Sequence, residues 1–538
     1  MPHSMTPAAR GRRNTSARAR MLARLALLAA LPWLTHCATA PSLEGVEPSY
    51  ALPPAATSSL DAAVLEEFGD SPDVNGVRLV EHNAMAFAYR ASTAATAERS
   101  LDVQYYIWND DLTGRLLAAE VLRAAERGVR VRVLVDDVDA RAKHDVFLVA
   151  DLHPNIEVRI FNPFYSREGT LGWLTEWALR THRLNRRMHN KAWIADNRVA
   201  IVGGRNVGDE YFGASEQSNF SDLDVLLSGP VVADVSAAFD AYWNSPSAVP
   251  VSRFEGRKAR PEDLARLIEG ARAYSAKTSD NPYIAALRDP QKRAELLASR
   301  PAPLRVANVK LLVDDPDKVG SKTGGGDASN VLAGLQGAMS SAASELLIFS
   351  PYFVPRSDGR RGLVKQAQRG VRVAVLTNSL AATDVAAVHT GYARERRELL
   401  AGGVELYEMK RKAGSEEGQQ QISLTGSSRS SLHTKAMIID GRWVFVGSMN
   451  LDPRSAFLNT ETGVLVESEA LADQVRSQFE RATGPDLSYR VVLEKDEGLV
   501  WYDRVNGKDR RLEREPDASA GRRLGVTLLR LVPLDSWL

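Results

Sequence analysis

Cysteine is nearly absent: Cys37 is the single copy in 538 residues. That excludes an internal disulfide, so the fold must stand on its core. It also leaves no thiolate in the globular part for a structural zinc site. Charge of one sign is lacking too. The 68 Lys and Arg face 67 Asp and Glu, a net charge of +1. No overall field therefore favours nucleic acid or an acidic lipid surface, and any such attraction has to be local. Long apolar runs are missing near the N-terminus, where "LALLAALPWLT" (25–35) is the most apolar stretch. It is shorter than the roughly 20 residues that cross a bilayer comfortably. Histidine is scarce at nine copies, which makes its placement informative.

What is present is a globular composition, 44% hydrophobic and 25% charged, long enough for two or three domains. Six arginines between Arg10 and Arg24 precede the short apolar run, and Cys37 follows it. A basic region, an apolar run and a break form a secretory signal. The position of Cys37 predicts a lipoprotein signal, in which that cysteine is lipidated and becomes the new N-terminus. Leu34 and Thr35 suit such a site, whereas His36 stands where a small residue is usual. A retained signal anchor, or a start at Met21, is the alternative. The segmentation that follows is a leader (1–37), a Pro-, Ala- and Ser-rich tether (38–76), a first domain (77–250), a charged helical connector (251–303), a second domain (304–490) and a tail (491–538).

"SLDVQYYIWNDD" alternates as a strand does, and "TGRLLAAEVLRAAERG" carries apolar residues at the helical period up to Gly128. "VRVRVLVDD" is a second strand, which completes a βαβ unit with a parallel pair. The second half repeats the order in "ELLIFSPYFV", "GRRGLVKQAQRG" and "VRVAVLTNS". Gly128 and Gly370 lie 242 residues apart, and His189 and His433 lie 244 apart. A near-constant offset marks duplication of a whole domain. "VGSKTGGGDASN" (319–330) has the glycines of a phosphate loop without its Gly-Lys-Ser/Thr order, and reads as a flexible loop.

The repeated unit is "MHNKAWIADNRVAIVGGRN" and "LHTKAMIIDGRWVFVGSMN". On a strand, residues two apart share a face, so His189 points with Lys191 and His433 with Lys435. Asp196-Asn197 and Asp440-Gly441 suit two-residue hairpin turns. The returning strands bring back Asn206 and Asn450, each 17 residues after its His. Asp196 and Asp440 then belong to the turns and are structural. Ser448 adds a hydroxyl in the second half, where Gly204 offers only backbone in the first. Lys and Asn donate hydrogen bonds to phosphate oxygens, and a His can attack, accept a proton or give one. Two such sets facing each other place one His on each side of a phosphodiester, with no metal required. Aligning "NFSDLDVLLSG" with "LNTETGVLVES" pairs Asp222 with Glu461 as the carboxylates that orient the histidines, with Asp224 in reserve. A zinc site is disfavoured by the Lys two places after each His.

His-x-Lys-x4-Asp-x7-Gly-Gly/Ser-x-Asn, twice in one chain, resembles the phospholipase D superfamily. The flanks "LDVQYYIWNDDLTGRLL", "GGRNVGDEYF", "DLDVLLSGP" and "LDPRSAFLNTETGVL" are similar to bacterial cardiolipin synthases, most of all the C-type. The resemblance runs from about Leu79 to Glu467. It implies an α/β fold of two similar domains, each a mixed β-sheet flanked by helices, related by a pseudo-twofold axis around one active site. It implies a phosphohistidine intermediate with His189 as nucleophile and His433 as acid, an order that the symmetric sequence alone does not give. It implies phospholipid substrates, with cardiolipin formed from phosphatidylglycerol and a second phospholipid, and no cofactor. A phospholipase D that transfers to water has the same groups, and a nuclease finds little support at this net charge.

A membrane surface is the expected partner, and nucleic acid is not. Arg180, Arg183, Arg186 and Arg187 precede His189, and Trp173 and Trp177 lie beside them. They read either as a lipid-contacting patch or as a solvated loop. The tail "RRLGVTLLRLVPLDSWL" reads either as an interfacial segment or as an element packed on the second domain. The expected location is the bacterial cell envelope, at a membrane and lipid-anchored through Cys37. Gly204, where the superfamily commonly has Ser, and the leader depart from the pattern.

Overall fold

The computed structural model describes residues 40–529 apart from 55–56, 70–72, 166–175, 177–179, 182, 255, 257, 321–329, 412–429, 495–497 and 506. Cys37, Trp173, Trp177, most of the glycine-rich loop and the chain end from 530 lie outside the described residues.

The βαβ reading sets the frame. Ser100–Tyr105 and Arg130–Asp136 are parallel neighbours joined by the helix Leu112–Glu126. Asp111 caps that helix by accepting from the Gly114 amide. Glu345–Phe349, Arg356–Gln368 and Arg372–Asn378 repeat the unit. Around each pair grows a mixed sheet. The first has nine strands, in the order Leu304–Val306, Asn75–Val80, Asp224–Ser228, Val199–Gly203, Ala192–Ala195, Ser100–Tyr105, Arg130–Asp136, Ile156–Phe161 and Ala248–Pro250. The second runs Val309–Val313, Thr462–Glu467, Trp443–Gly447, Ala436–Ile439, Glu345–Phe349, Arg372–Asn378, Glu405–Met409 and Ser488–Glu494, then adds Gly498–Val505 and Lys508–Leu512. Strand for strand, the second through ninth members of the first sheet match the first through eighth of the second. This is an α/β fold of two like domains, as the duplication predicts.

Their inner faces share one apolar core. Val202, Val225, Leu227 and Phe239 from the first half pack in the same cluster as Val444, Val446, Val464 and Phe479 from the second. The halves are also stitched by backbone: Asn219–Ser221 pairs in parallel with Ser430–Leu432.

Three segments differ from the sequence reading. The stretch 38–76 holds the helix Ser59–Phe68 and the start of the strand Asn75–Val80, with Leu60 and Phe68 in the first core. Its extended part is bonded to the domain through Ser49 N to Asn244 Oδ1 (3.0 Å) and Ala51 N to Asp240 Oδ2 (2.8 Å). The leucines and the aromatic that a free tether would expose are what dock it. Leu304–Val306, expected to open the second domain, is an edge strand of the first sheet. The tail extends the second sheet and then forms the helix Ala520–Leu529, which packs on Ala386–Ala401 and buries Val526 while Leu524 and Leu528 stay exposed. No described helix is long and apolar enough to cross a membrane.

Candidate active site

The two His-x-Lys segments sit where the halves meet. Each was expected to be strand throughout, but it joins its large sheet only from Ala192 and Ala436. The residues before it are bonded across to the other half. His189 N donates to Thr460 O (2.9 Å), and Thr460 N donates back to Arg187 O (2.9 Å). Reciprocally, His433 N donates to Ser221 O (2.8 Å). Polar groups at the ends of the matched strands Arg130–Asp136 and Arg372–Asn378 hold the residues just before each His. Asp136 Oδ2 accepts from Met188 N (2.9 Å), and Asn378 Oδ1 accepts from Leu432 N (2.9 Å).

These crossings decide which carboxylate meets which ring. Thr460 precedes Glu461, and Ser221 precedes Asp222. His189 Nδ1 therefore lies 2.8 Å from Glu461 Oε2, and His433 Nδ1 lies 2.6 Å from Asp222 Oδ2. Each imidazole takes its carboxylate from the other half. With Nδ1 donating to the carboxylate, Nε2 is the nitrogen left with a lone pair for chemistry. Asp224, the reserve carboxylate, goes elsewhere: it pairs with Arg90 (3.0 Å) and Arg205 (3.4 Å).

All four side chains are buried, with His189 9%, His433 6% and each lysine 1% exposed. Lys191 Nζ donates to His189 O and Lys435 Nζ to His433 O, both at 2.6 Å. Lys435 Nζ also stands 3.1 Å from His433 Nδ1, a longer contact than the carboxylate makes. Burial pushes Lys191 down to about 7 and Lys435 down to about 8. Burial lowers His189, and burial together with the charges of Lys435 and Lys191 drives His433 well below its ordinary value. The carboxylates part company. Burial raises Asp222, whereas for Glu461 the opposing effect of burial is outweighed by His189, Lys191 and a Ser448 hydrogen bond, and its carboxyl is held low.

Ser448 thus serves Glu461 with its hydroxyl, and the same oxygen accepts from Thr462 N (3.0 Å). Gly204 fills the matching place in the first half for a steric reason. A Cβ there would stand 2.3 Å from Asp222 Oδ1. The shorter Asp reaches its histidine only past a glycine, while the longer Glu leaves room for a serine. Asn206 donates through Nδ2 to Tyr211 Oη (3.0 Å) and accepts from Ile107 N (3.3 Å). The buried Asn450 Oδ1 has no hydrogen-bond partner among the described residues.

Three aromatics unforeseen in the sequence flank the rings. Tyr106 stands edge-on to His189 at 5.2 Å and lies 5.6 Å from Lys191 Nζ. Tyr211 and Phe220 lie 5.2 and 5.0 Å from the His433 ring. They cover one side of each ring. An aromatic at the end of a strand whose next residues turn toward the site was the available signal.

The structure places Asp196 and Asp440 in the hairpin turns, away from the histidines. Each loop has three residues rather than two, with Ala195 opposite Val199 and Ile439 opposite Trp443. Positive φ at Asp196, Asn197, Asp440 and Gly441 makes the reversal. Asp196 accepts from the amides of Glu98, Arg99 and Ser100 at 2.8–2.9 Å, and Asp440 from Ala343, Ser344 and Glu345 at 2.7–3.1 Å. Within the arginine cluster Arg186 and Arg187 are buried, Arg180 and Arg183 are part-exposed, and all four bond to protein groups. Arg187 binds Asp136 and Asn162 O, Arg183 binds Asn162 Oδ1 and Glu176, and Arg180 binds Glu176. Arg186 is 1% exposed and donates to Lys318 O. Among the described residues no group of three or more His, Cys, Asp or Glu is placed to hold a metal ion.

A family model described as "Cardiolipin synthase, PLD-like domain" matches residues 92–243 and 335–483. Cardiolipin synthase C of Escherichia coli (strain K12) is 42% identical over 89% of this chain and 99% of its own length. Cardiolipin synthase B of Salmonella typhi is 25% identical over 76% of this chain and 80% of its own length. Among solved structures, phosphatidylserine synthase from Haemophilus influenzae Rd KW20 shares the fold, with a TM-score of 0.53 at 13% identity over 85% of this chain and 95% of its own. With two domain matches that frame both histidine motifs, this chain belongs to the cardiolipin synthase, phospholipase D-like family.

Proposed function

We propose that the chain is a phosphatidyltransferase that makes cardiolipin from phosphatidylglycerol and a second phospholipid. The observation that carries this is the reciprocal pairing of each imidazole with a carboxylate from the opposite half, in one buried site where both lysines and the other ring act on His433. His189 is assigned as nucleophile. Its partner Glu461 is held ionised and further fixed by Ser448, which favours positive charge on the ring as it bonds to phosphorus.

Nε2 of His189 attacks phosphorus, and the bond from phosphorus to the departing alcohol oxygen breaks. His433 gives that oxygen a proton. The hydroxyl of phosphatidylglycerol then enters, loses its proton to His433, and attacks the same phosphorus as the phosphorus–nitrogen bond breaks. Lys191, Lys435, Asn206 and Asn450 hold the non-bridging oxygens. The bound phosphate supplies the negative charge that opposes the two ammoniums at His433 and lets that ring carry a proton.

The enzyme is assigned to the cell envelope at a membrane surface, with Cys37 lipidated. Mass spectrometry of the mature protein checks this, and an unmodified Cys37 in a retained leader overturns it. The activity is tested by expression in a host without its own cardiolipin synthases, followed by lipid extraction and thin-layer chromatography. Cardiolipin is expected with the wild type and not with His189→Ala or His433→Ala. Phosphatidic acid in its place would make the protein a hydrolase.

A further inference from the structure

On the outer face of the first sheet lies a cavity of about 510 Å³ that the catalytic chemistry does not use. The connector helix Pro261–Lys277 roofs it, packed on Leu112–Glu126 and His144–Ala150. Its floor is the sheet itself, through Val133, Ile156 and Val158. Small residues keep it open. Gly270 lines it from the middle of the connector helix, where glycine costs helix stability, and a Cβ there would meet nothing within 4 Å. A void of this size in an apolar wall forfeits packing unless something fills it, and it is within the usual range of ligand pockets, about 300–1,000 Å³.

Three features narrow the occupant. The wall is mostly aliphatic and aromatic, and its charged groups are already spoken for: Lys143 pairs with Asp139, Arg115 with Asp110 and Arg266 with Asp263. No free charge awaits a polar ligand. Val146, a lining residue, is 53% exposed, so the rim has an apolar part beside its paired charges Arg115–Asp110 and Arg266–Asp263. The cavity also lies beside the active site along the chain. Trp108, Asn109 and Asp110 line it, Ile107 N bonds to Asn206, and the Tyr106 ring faces His189. Tyr106 and Trp108 are two residues apart, roughly 7 Å of extended chain.

We propose that this cavity is a fatty-acyl subsite, in which one tail of a phospholipid lies between the connector helix and the sheet while its phosphate sits at the two histidines. The inference rests on the phospholipid reading above and deepens it.

The test uses full-length protein and a phosphatidylglycerol whose palmitoyl-length tail bears a diazirine. After irradiation, peptides from 112–126, 144–150 or 261–277 are expected to carry the label, and Gly270→Phe should lose it. Label spread equally over the surface of both proteins overturns the subsite. In turnover, Gly270→Phe should raise KM for a dipalmitoyl substrate by roughly fourfold per methylene turned away, with dihexanoyl substrate unaffected. A higher Tm with no dependence on chain length would identify a mere packing void and also overturns it. Ala271→Leu gives the same reading if the phenylalanine variant does not fold. Labelling needs no turnover. Labelled protein that makes no cardiolipin therefore sinks the proposed reaction and keeps the subsite, whereas cardiolipin made without labelling does the reverse.

Discussion

Gly204 and Ser448 occupy matching positions yet differ for a reason that lies in their neighbours. Asp222 must approach His433 across the space a side chain at 204 would fill, and Glu461 approaches His189 with one more methylene and a serine beneath it. Gly204→Ser should therefore push Asp222 off its histidine. Steady-state kinetics are expected to show kcat down by about 10- to 100-fold with the fold intact, since small misplacements of reacting groups cost that much. Glu461→Gln should lower kcat by roughly 10²- to 10⁴-fold, because the neutral amide no longer stabilises a positive ring at His189. Unchanged kcat in a folded Glu461→Gln would remove the basis for naming His189 the nucleophile. The site's charges also set its pH dependence. Lys191 and Lys435 titrate at about 7 and about 8, so raising the pH strips the phosphate-binding charge from the free enzyme. His189, lowered from 6.5, loses its nucleophilic lone pair only on the acid side of that value. A plot of kcat/KM against pH should thus fall above pH 7–8 and again on the acid side of 6.5. The alkaline limb of kcat should sit higher, because a bound phosphate returns charge to the lysines. A flat kcat/KM between pH 7 and 9 would contradict the lysine assignment.

At the scale of elements, the hairpin is the unit that was most legible in the sequence. Its His, Lys and Asn, its turn and the neighbouring βαβ unit follow from spacing and periodicity, which are local properties. The turn aspartates show how far that reasoning carries. Asp196 gathers three amides at the head of Ser100–Tyr105, and Asp440 gathers the matching three at the head of Glu345–Phe349. Each ties its hairpin to the adjacent strand. Asp196→Asn keeps one accepting oxygen in place of two, and should cost about 1–3 kcal/mol in urea unfolding while leaving kcat near wild type. Total loss of turnover in a stably folded Asp196→Asn would return this residue to the chemistry. Asp440 adds a pH signature. Burial opposes its ionisation, but the bonds from Ser344, Glu345 and Ala343 prevail and hold it below 3.8. A lowered carboxyl stabilises the fold above its unfolded value and loses that contribution as pH falls through the folded one. The stability gap between wild type and Asp440→Asn should therefore be full at pH 7 and shrink below about pH 4. What spacing could not give was the partner of each ring. The exchange of Glu461 and Asp222 depends on Thr460 meeting His189 and Ser221 meeting His433, contacts separated by more than 200 residues that leave no periodic trace. The docking of 38–76 was hidden for a like reason: its Pro- and Ala-rich composition reads as linker, and only the complementary surface turns Leu60 and Phe68 into core.

At the scale of the whole molecule, duplication gives two incomplete sites, and the interface makes one complete site from them. Neither half alone supplies a histidine with its own carboxylate. The core shared by Val202, Val225 and Phe239 with Val444, Val464 and Phe479 must stay closed for either ring to be oriented. An apolar contact of that kind behaves as the interior of a single domain, not as a hinge between two. The halves of one chain should accordingly not trade places with those of another. Mixing folded His189→Ala with folded His433→Ala tests this. Each chain lacks one ring, and a competent pair would form only if the first half of one docked on the second half of the other. We expect the mixture to be as inactive as either variant alone, whether mixed as purified proteins or co-expressed, with size-exclusion chromatography reporting on exchange. Recovery of turnover after co-expression alone would mean that the halves dock between chains during folding and become locked. Recovery on mixing purified proteins would mean that the shared core opens on the timescale of the assay, and the two histidines would then have to be regarded as belonging to a movable joint.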